Sequence, residues 1–303
     1  MTSKISVIIP FFNRYHTICR AVESILLLDN IKFVGEIIII DDGSTNSESL
    51  KLNNYISKIK IQDQYQRINF VVFKYDSNVN AAYARNLGIT KSKFDVLAFL
   101  DSDDEWIDGK LRKQLSYLEN NTIVFSQFSK VNSKVRKNTA VLPTEFKTSN
   151  IADYLLLGKG HIQTSTILCH KKTAEKVMFN NDLRKYQDWD FAIRAWDLGV
   201  HFSLVSQPLT NYYVDSNDRI GSINNKSLVN DFFKSVEGIV SSNTRNHFIQ
   251  KSTYERLLLS GQFVSALKHA FVSRHDVFLN VNIFRTMAYW TLKVIILKTI
   301  KRN

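Results

Sequence analysis

The stretch Glu36-Ile-Ile-Ile-Ile-Asp41-Asp42-Gly43-Ser44 places four consecutive isoleucines directly before two aspartates and a glycine. An unbroken run of β-branched apolar residues is typical of a strand that is buried on both faces, as in a parallel sheet covered by helices. The polar residues and the glycine that follow indicate a turn at the carboxyl end of that strand. The stretch therefore predicts an internal strand with an acidic end at one edge of a sheet.

Similar apolar runs recur along the first third of the chain. The predicted strands are Ile5–Ile9, Glu36–Ile40, Asn69–Phe73 and Asp95–Leu100. Between them, apolar residues recur at steps of three and four, which predicts the helices Thr17–Leu28, Ser47–Ile59 and Asn80–Thr90. Alternating strands and helices predict an α/β fold with a doubly wound, mostly parallel sheet.

The composition is that of a compact and basic protein. The chain has 303 residues, 44% of them hydrophobic, and a formal net charge of +12, which excludes a disordered chain or a disulfide scaffold and predicts an anionic partner. Cys19 and Cys169 lack the spacing of a zinc or redox site and fit a reducing compartment. Neither a signal peptide nor an apolar run of ~20 residues is recognisable, so we expect a cytoplasmic protein without a membrane span. No nucleic-acid-binding module is recognisable either.

Two parts are expected along the chain. Residues 1–223 carry the strand-like runs, whereas residues 224–303 predict a helical C-terminal extension. Residues 131–160 are polar and contain Pro143, which indicates an excursion or a mobile loop. The segment Arg285–Arg302 has five cations and no acid. It predicts either a basic amphipathic helix in the headgroup layer of a membrane or a terminal helix packed on the core.

Acidic residues follow two of the predicted strands. Asp41-Asp42 ends one strand and Asp101-Ser102-Asp103-Asp104 ends another. Ligands of open α/β sheets bind beyond the carboxyl ends of the strands, and clustered carboxylates repel one another unless a cation neutralises them. Hard oxygen ligands suit Mg²⁺ or Mn²⁺, which also bind diphosphate oxygens. The pattern therefore predicts a cation and a nucleoside diphosphate. The alternative is that each motif only forms a turn or a helix cap.

Four motifs, in this order and spacing, resemble family 2 of the glycosyltransferases, which have the GT-A fold. The motifs are Val7-Ile-Ile-Pro10-Phe-Phe-Asn13-Arg14, Ile38-Ile-Ile-Asp41-Asp42-Gly43-Ser44, Ala84-Arg85-Asn86-Leu87-Gly88 and Leu100-Asp101-Ser102-Asp103-Asp104. The resemblance covers about the first 220 residues. It implies that residues 1–223 form a nucleotide-sugar-binding and catalytic GT-A domain.

The resemblance also implies roles for individual residues on the donor side. Asp41 would meet the nucleotide base, Arg85 would lie beside the pyrophosphate, and Asp101 would face the ribose and the metal. Asp103 would be the main protein ligand of a Mn²⁺ or Mg²⁺ ion that bridges the diphosphate. The full set implied for the nucleotide-sugar pocket is Pro10, Phe11, Asn13, Asp41, Asp42, Asn78, Arg85, Asp101, Ser102, Asp103 and Arg219.

The segment Gln187-Asp188-Trp189-Asp190 resembles the acceptor-side motif of the family, commonly Glu-Asp-Trp-Asp. The resemblance implies that Asp188 is the general base for the acceptor hydroxyl. Gln187, Trp189, Asp190 and the more distant His161 would then contact the acceptor. Gln187 replaces an acid, which removes a negative charge beside Asp188 and makes Asp188 less basic. The alternative is that Asp188 and Asp190 only cap the start of a helix.

Two further positions depart from the family pattern. Asn80 stands where the family often has a glycine, so the backbone there is not expected to approach the donor as closely. Asp215 stands where the family often has a histidine near the metal. Asp215 is therefore a candidate metal ligand, and Arg219 could pair with the diphosphate when this segment closes. The alternative is an ordinary polar turn.

These features predict an inverting, metal-dependent glycosyltransferase. It would move a hexose or an N-acetylhexosamine from a UDP-sugar to a polyprenyl-diphosphate-linked saccharide, in O-antigen or capsule synthesis at the cytoplasmic face of the inner membrane. One rival is a sugar nucleotidyltransferase, but its glycine-rich loop is not found after the first strand. The other rival is a catalytically silent protein that binds a nucleotide or a glycan during assembly.

Overall fold

The computed structural model of the chain describes residues 4–26, 29–132, 137–143, 145–146, 150–157, 160–214 and 226–259, and five positions between 262 and 269. The chain divides into two compact units, Met1–Ile239 and Val240–Asn303. The predicted boundary after residue 223 stays a prediction. Within the described residues, no helix combines the length and the apolar character needed to cross a membrane.

The first unit begins with three strand–helix repeats. The four predicted strands and three predicted helices are all present, with ends that differ by at most two residues. In chain order the elements are β1 (Ile5–Phe11), α1 (Tyr15–Leu26), β2 (Val34–Asp41), α2 (Asn46–Lys60), β3 (Asn69–Lys74), α3 (Ala81–Lys91) and β4 (Val96–Phe99).

The remainder of the first unit mixes short helices with longer strands. The elements are β5 (Glu105–Trp106), α4 (Lys110–Leu115), β6 (Thr122–Asn132), β7 (Lys137–Leu142), α5 (Ile151–Leu156), β8 (Leu168–His170), α6 (Lys171–Val177), α7 (Gln187–Asp197), β9 (His201–Tyr213) and α8 (Lys226–Ser235). The described part of the second unit includes α9 (Ser242–Leu259). Of the two alternatives for residues 131–160, an excursion or a mobile loop, the mobile loop was wrong for the described part of that range, which contains the end of β6, all of β7 and α5.

One mixed sheet organises the first unit. Its strand order is β3-β2-β1-β4-β8-β6-β9-β5, and β7 pairs with β6. The β3-β2-β1-β4 half is parallel, as predicted, and β6 and β9 are also parallel to each other. Strand β8 is antiparallel to both β4 and β6 and joins the two halves. The fold class is therefore α/β with a mixed, mostly parallel sheet.

Close packing of α3 on the sheet fixes one wall of the site. A Cβ atom added at Gly88 would lie 2.4 Å from the side chain of Ile8, well inside van der Waals contact. The glycine thus lets α3 approach β1 and β2 more closely than any other residue would. This approach brings Arg85, one turn earlier in α3, to the carboxyl ends of the strands.

Candidate active site

A buried serine, Ser165, supports the loop after β4 through hydrogen bonds. The carboxylate of Asp104 is fully buried and accepts a hydrogen bond from Ser165 Oγ at 2.7 Å. Ser165 Oγ also accepts a hydrogen bond from the backbone N–H of Asp101 at 3.0 Å. In contrast, the side chains of Asp101 and Asp103 are 21% and 15% exposed. The loop therefore presents two carboxylates outward and uses the third as an internal support.

Two arginines at the start of the chain hold the same loop from the other side. Arg14 Nη1 donates to Asp103 Oδ2 at 2.7 Å, and Arg20 Nη2, from α1, donates to the Asp103 carbonyl oxygen at 2.7 Å. The carboxylate of Asp101 accepts from Arg85 at 2.6 Å. The expected repulsion between acids is therefore balanced by protein cations. Among the residues that the structure describes, no group of three His, Cys, Asp or Glu side chains could hold a metal ion.

The first two aspartates of the predicted rim face inward. Asp41 is 1% exposed, and its carboxylate accepts from the Ser44 N–H at 2.9 Å and from Ser49 Oγ at 2.5 Å. A direct contact between Asp41 and a nucleotide base would require these bonds to be exchanged. Asp42 is also buried and accepts from the backbone N–H groups of Val79 and Asn80 at 2.8 and 3.0 Å. Burial raises the pKa of Asp42 in spite of these bonds. Both carboxylates therefore accept hydrogen bonds from the protein itself, within the segments that follow β2 and precede α3.

The loops after β1 and β2 are cross-linked through Asn13. Asn13 has a φ of 49°, its N–H donates to Ser44 Oγ at 2.9 Å, and its Oδ1 accepts from the Thr45 N–H at 2.8 Å. Pro10 and Phe11 are buried at the end of β1, opposite Ile40 and Asp41. Strand β4 pairs with β1 only as far as Ile8, so Pro10, which has no N–H, interrupts no hydrogen bond on that side.

The turn before α3 forms even though a glycine is replaced. Asn80 has φ 114° and ψ 161°, a region that glycine occupies almost alone. Its side chain accepts from the Tyr83 N–H at 3.1 Å and so caps α3, and its Nδ2 donates to the Asn181 carbonyl at 2.6 Å. Asn78 Nδ2 donates to the Asp42 carboxylate at 3.1 Å. The backbone at Asn80 therefore has a conformation typical of glycine, and the expectation that it approaches the donor less closely stays a prediction.

Arg85 connects the donor-side loop with the start of α7. Its guanidinium donates to Asp101 Oδ1 at 2.6 Å and to Gln187 Oε1 at 2.7 Å, and its side chain is only 6% exposed. Gln187 Nε2 in turn donates to the Leu183 carbonyl at 2.5 Å. The amide of Gln187 is thus engaged within the protein, so an acceptor contact would have to share it. Asp101 balances the charge of Arg85. An acid at position 187 in place of Gln187 would add a second negative charge beside Arg85.

Asp188 lies in the first turn of α7 and lines a cavity of about 320 Å³ together with Arg85 and Asp101. Its Oδ1 accepts a hydrogen bond from the Trp189 N–H at 2.9 Å. Desolvation raises the pKa of Asp188 to about 6; the charge of Arg85 and this hydrogen bond act in the opposite direction. A carboxyl group with a pKa close to neutral, on a cavity wall, is suited to accept a proton from a bound hydroxyl.

Aromatic side chains line the same cavity. The ring centroids of Phe128 and Tyr212 are 5.6 Å apart, those of Phe128 and His161 6.3 Å, and those of His161 and Trp189 6.4 Å. Tyr186 continues this series at 5.6 Å from Trp189. His161 and Trp189, both predicted on the acceptor side, are therefore brought together with Asp188. Flat aromatic faces of this kind suit the C–H faces of a sugar ring.

Asp190 does not belong to the cavity wall. Its carboxylate is fully buried, and Oδ2 accepts from Arg194 Nε and Nη2 at 2.9 and 2.6 Å. Arg194 also donates to the carbonyl oxygens of Val177 and Met178, both at 2.6 Å. This network ties α7 to the end of α6, so we correct the predicted acceptor contact of Asp190 to a structural role. The periodicity of α7 explains the difference: Asp188 and Asp190 lie on different faces of the helix.

Sequence reasoning did not identify several residues that hold the site together, and two of its predictions lie outside the described residues. Arg14, Arg20 and the Ser165 support of Asp104 are 61 or more residues away from their partners in the sequence, so only the fold reveals them. Ser102 is buried in the loop after β4. The predicted ligand Asp215 and the predicted diphosphate contact Arg219 lie outside the described residues.

The donor atoms of Asp101 and Asp103 fit a divalent cation. Both are carboxylates, two residues apart on one loop, and both reach solvent. Mg²⁺ and Mn²⁺ prefer such oxygen ligands and commonly need only one or two protein carboxylates when a diphosphate completes the shell. A metal ion bound to Asp103 would share this carboxylate with Arg14, which donates a hydrogen bond to it.

Solved structures with the same fold are glycosyltransferases of the GT-A class. S. aureus TarS 1-349 in complex with UDP-GlcNAc aligns with a TM-score of 0.62 over 84% of this chain and 72% of that chain, at 15% sequence identity. The match covers 43% of a longer TarS chain. At this identity the likeness establishes the fold, and the GT-A prediction is confirmed.

Sequence relatives define the family. The family model described as Glycosyl transferase family 2 matches residues 6–178. "Amylovoran biosynthesis glycosyltransferase AmsB" of Erwinia amylovora is 30% identical over 216 residues, which are 69% of each chain. "Poly(ribitol-phosphate) beta-N-acetylglucosaminyltransferase TarP" of Staphylococcus aureus is 29% identical over 273 residues, 87% of this chain and 79% of that protein. The chain therefore belongs to glycosyl transferase family 2.

Proposed function

We propose that the chain is an inverting glycosyltransferase that moves a hexose or an N-acetylhexosamine from a UDP-sugar to a lipid-linked saccharide in surface polysaccharide synthesis. The observation that carries this proposal is the position of Asp188, a carboxyl group with a pKa of about 6 on the wall of a cavity that it shares with Arg85 and Asp101. The relatives support the donor and the pathway: TarS has been solved with UDP-GlcNAc, and AmsB is named for amylovoran biosynthesis.

In the proposed reaction, the acceptor hydroxyl gives its proton to the Asp188 carboxylate while its oxygen attacks the anomeric carbon of the donor. The bond from that carbon to the diphosphate breaks on the opposite face, and the nucleoside diphosphate leaves with the electron pair. A single displacement of this kind inverts the configuration, so an α-linked donor gives a β-linked product. Asp188 is mostly ionised at neutral pH and is therefore ready to accept the proton.

Arg85 serves both sides of the reaction. Its hydrogen bonds to Asp101 and Gln187 fix the donor-side loop relative to the first turn of α7, which carries the base. Its positive charge also lowers the pKa of Asp188, opposing the larger effect of desolvation. Arg85 thus keeps the base ionised at the pH of the cytoplasm.

A divalent cation, Mn²⁺ or Mg²⁺, is part of the proposal, with Asp101 and Asp103 as the described residues that would hold it. When bound, such a cation supplies Lewis-acid stabilisation of the charge on the departing diphosphate. Asp215 remains a predicted third ligand, and Arg219 a predicted diphosphate contact, on the evidence of the sequence alone.

Membrane association is proposed from the sequence of the last segment. The basic residues of Arg285–Arg302 would bind anionic headgroups on the cytoplasmic face of the inner membrane and bring the site close to a polyprenyl-diphosphate-linked acceptor. Co-sedimentation with vesicles of phosphatidylcholine and phosphatidylglycerol tests this. We expect binding that increases with the phosphatidylglycerol fraction and falls with salt, whereas equal binding to neutral vesicles would contradict it.

Donor hydrolysis tests the proposed activity. With UDP-GlcNAc and Mn²⁺, we expect slow release of UDP by the parent chain and a loss of at least about 100-fold in Asp188→Asn, because removal of a general base typically costs that much or more. Binding of UDP should be unchanged in this variant. Asp182→Asn removes an exposed carboxylate six positions earlier and is the matched control. UDP binding without turnover of any UDP-sugar or acceptor would favour a silent binding protein instead.

A further inference from the structure

A fully buried lysine stands at the start of α4. The Nζ atom of Lys110 donates hydrogen bonds to Gln114 Oε1 and, at 3.4 Å, to the carbonyl oxygen of Thr166. The same atom lies 5.1 Å from the centre of the Trp106 ring. These partners are all neutral, and none of the described residues contributes a carboxylate to this ammonium group.

Burial of Lys110 costs stability, because an ammonium group without a paired acid loses its hydration in the core. Desolvation accordingly lowers the pKa of this lysine well below its usual range. An apolar side chain of similar size, such as methionine, would fill the same volume without that cost. Side chains that reduce stability in this way are common where they support a functional site.

Donors from β5 and α4 converge on one short turn of 3-10 helix, Thr164–Thr166. Gln114 Nε2 donates to the carbonyl oxygen of Thr166 at 2.7 Å, the same oxygen that Lys110 contacts. Trp106 Nε1 donates to the preceding carbonyl oxygen, that of Ser165, at 3.0 Å. Three buried side chains therefore fix two successive carbonyl groups of this turn.

The turn has two connections to the candidate active site. Ser165 Oγ donates to the carboxylate of Asp104 at 2.7 Å and accepts from the N–H of Asp101 at 3.0 Å. It thereby holds the loop that carries the proposed cation ligands. Thr164 lines the same cavity as Asp188. A displacement of the turn would therefore disturb the donor-side loop and the cavity wall together.

We propose that Lys110 and Gln114 are positioning residues for the transfer reaction. By holding the carbonyl group of Thr166, they keep Ser165 in place, and Ser165 keeps the loop after β4 in the arrangement that binds the donor. Neither Lys110 nor Gln114 is among the residues that line the cavity, so their effect is exerted through the turn. This inference rests on the proposed function, because it requires a donor site at that loop.

Two single variants of the full chain test the proposal. Lys110→Met and Gln114→Met keep an unbranched side chain and remove the donor to the carbonyl group. Calorimetry measures UDP affinity in the presence of Mn²⁺, and UDP release from UDP-GlcNAc gives kcat and KM. We expect each variant to bind UDP roughly fivefold more weakly, the effect of about one buried hydrogen bond. Thermal unfolding establishes that each variant is folded at the assay temperature.

A second readout needs neither donor nor activity. The N–H of Asp101 donates to Ser165 Oγ, so its exchange with solvent deuterium reports directly on the hold of the turn on the loop. We expect this amide to exchange faster in Lys110→Met and in Gln114→Met than in the parent chain. The measurement is made without nucleotide, and either variant suffices if the other does not fold.

A double-mutant cycle separates positioning from a general loss of stability. Ser165→Ala removes the hydroxyl through which the turn holds the loop, so adding Lys110→Met should weaken UDP binding little further. Ser6→Ala is the matched control, because Ser6 is equally buried and its hydroxyl donates to Glu36 Oε1 at 2.6 Å near the amino-terminal ends of β1 and β2. This control should unfold at a lower urea concentration and leave both UDP affinity and the exchange of Asp101 unchanged.

Two results would overturn the inference. One is parental exchange of the Asp101 amide together with parental UDP affinity in Lys110→Met and Gln114→Met. The other is fully additive losses of UDP affinity in the cycle, since Lys110 would then act by another route. Failure of the proposed function is a separate result: the parent chain would not bind UDP at all, while the exchange of Asp101 would still decide whether the turn holds the loop.

Discussion

The pKa of Asp188 gives the reaction a defined dependence on pH. A base with a pKa of about 6 is ionised in ~9% of molecules at pH 5 and in ~91% at pH 7. Because only the ionised form accepts the proton of the acceptor hydroxyl, kcat/KM should rise about tenfold between pH 5 and pH 7 and then level off. An aspartate with an ordinary pKa would already be ionised at pH 5 and would give a flat profile over this range.

The neighbouring Gln187 provides the perturbation. In Gln187→Glu, a carboxylate takes the place of the amide oxygen that accepts from Arg85 at 2.7 Å. It adds a negative charge near Asp188 and balances the charge of Arg85, so both effects raise the pKa of Asp188. A unit charge at ~7 Å in an effective dielectric of ~40 contributes about 1.2 kcal/mol, which moves the midpoint of the profile to higher pH by about one unit.

The assay is kcat/KM for release of UDP, followed from pH 4.5 to pH 8.5 at constant ionic strength. The neutral variant Gln187→Met is the control, and its midpoint should stay at or below that of the parent chain. Asp188→Asn should remove the acidic limb of the profile. If the midpoint of Gln187→Glu does not move upward, or if the parent chain shows no limb near pH 6, Asp188 is not the base.

Three further outcomes concern stability and assembly of the site. Asp188→Asn should stabilise the fold at pH 8 by about 3 kcal/mol. The pKa of Asp188 is raised from 3.8 to about 6. The stabilisation that this carboxyl group contributes to the parent chain is therefore complete below pH 4 and is lost as pH rises through 6. Unfolding in urea at pH 4 and at pH 8 measures the free energy of unfolding of both chains. An equal gain in stability at the two pH values would contradict the prediction. At Asn80 the strained backbone costs about 1–3 kcal/mol. Asn80→Gly should therefore unfold at a higher urea concentration than Asn80→Ala, which keeps the strain and loses the cap; the reverse order would refute this reading. Ser165→Ala should cost about 2 kcal/mol, because buried Asp104 loses its hydroxyl donor, and should weaken UDP binding; unchanged UDP affinity would show that the loop does not need this support.

Most of the parallel half of the fold was readable from the sequence because β1, β2 and β4 are buried on both faces. Ile37–Ile40 of β2 are all at most 1% exposed, and such continuous apolar runs have few alternatives. Strand β7 was not readable; among the strands that the structure describes, it pairs with β6 and with no other. Its polar composition is that of an edge strand, which local propensity does not distinguish from a loop.

The candidate site divides in a similar way. The resemblance to the family implied roles for Asp101, Asp103, Arg85 and Asp188, and these roles stay predictions. The structure brings three of the four, Arg85, Asp101 and Asp188, to one cavity. The directions of the side chains depended on distant partners. Asp104 turns inward to Ser165, which is 61 positions away in the sequence, and Asp103 meets Arg14, which is 89 positions away. No local sequence pattern encodes such a pairing. The sequence therefore predicted a cluster of unpaired acids at the edge of the sheet, whereas in the fold Asp101 and Asp103 are paired with arginines.

In the proposed reaction, Asp101 and Asp103 hold a cation that in turn binds the diphosphate of the donor. Calorimetric titration with UDP, in the presence of Mn²⁺ and again in EDTA, tests this most directly when the parent chain is compared with Asp103→Asn. We expect UDP affinity to fall at least about tenfold in EDTA and Asp103→Asn to bind UDP weakly with or without Mn²⁺. UDP affinity that is the same in Mn²⁺, in EDTA and in the variant would contradict the claim.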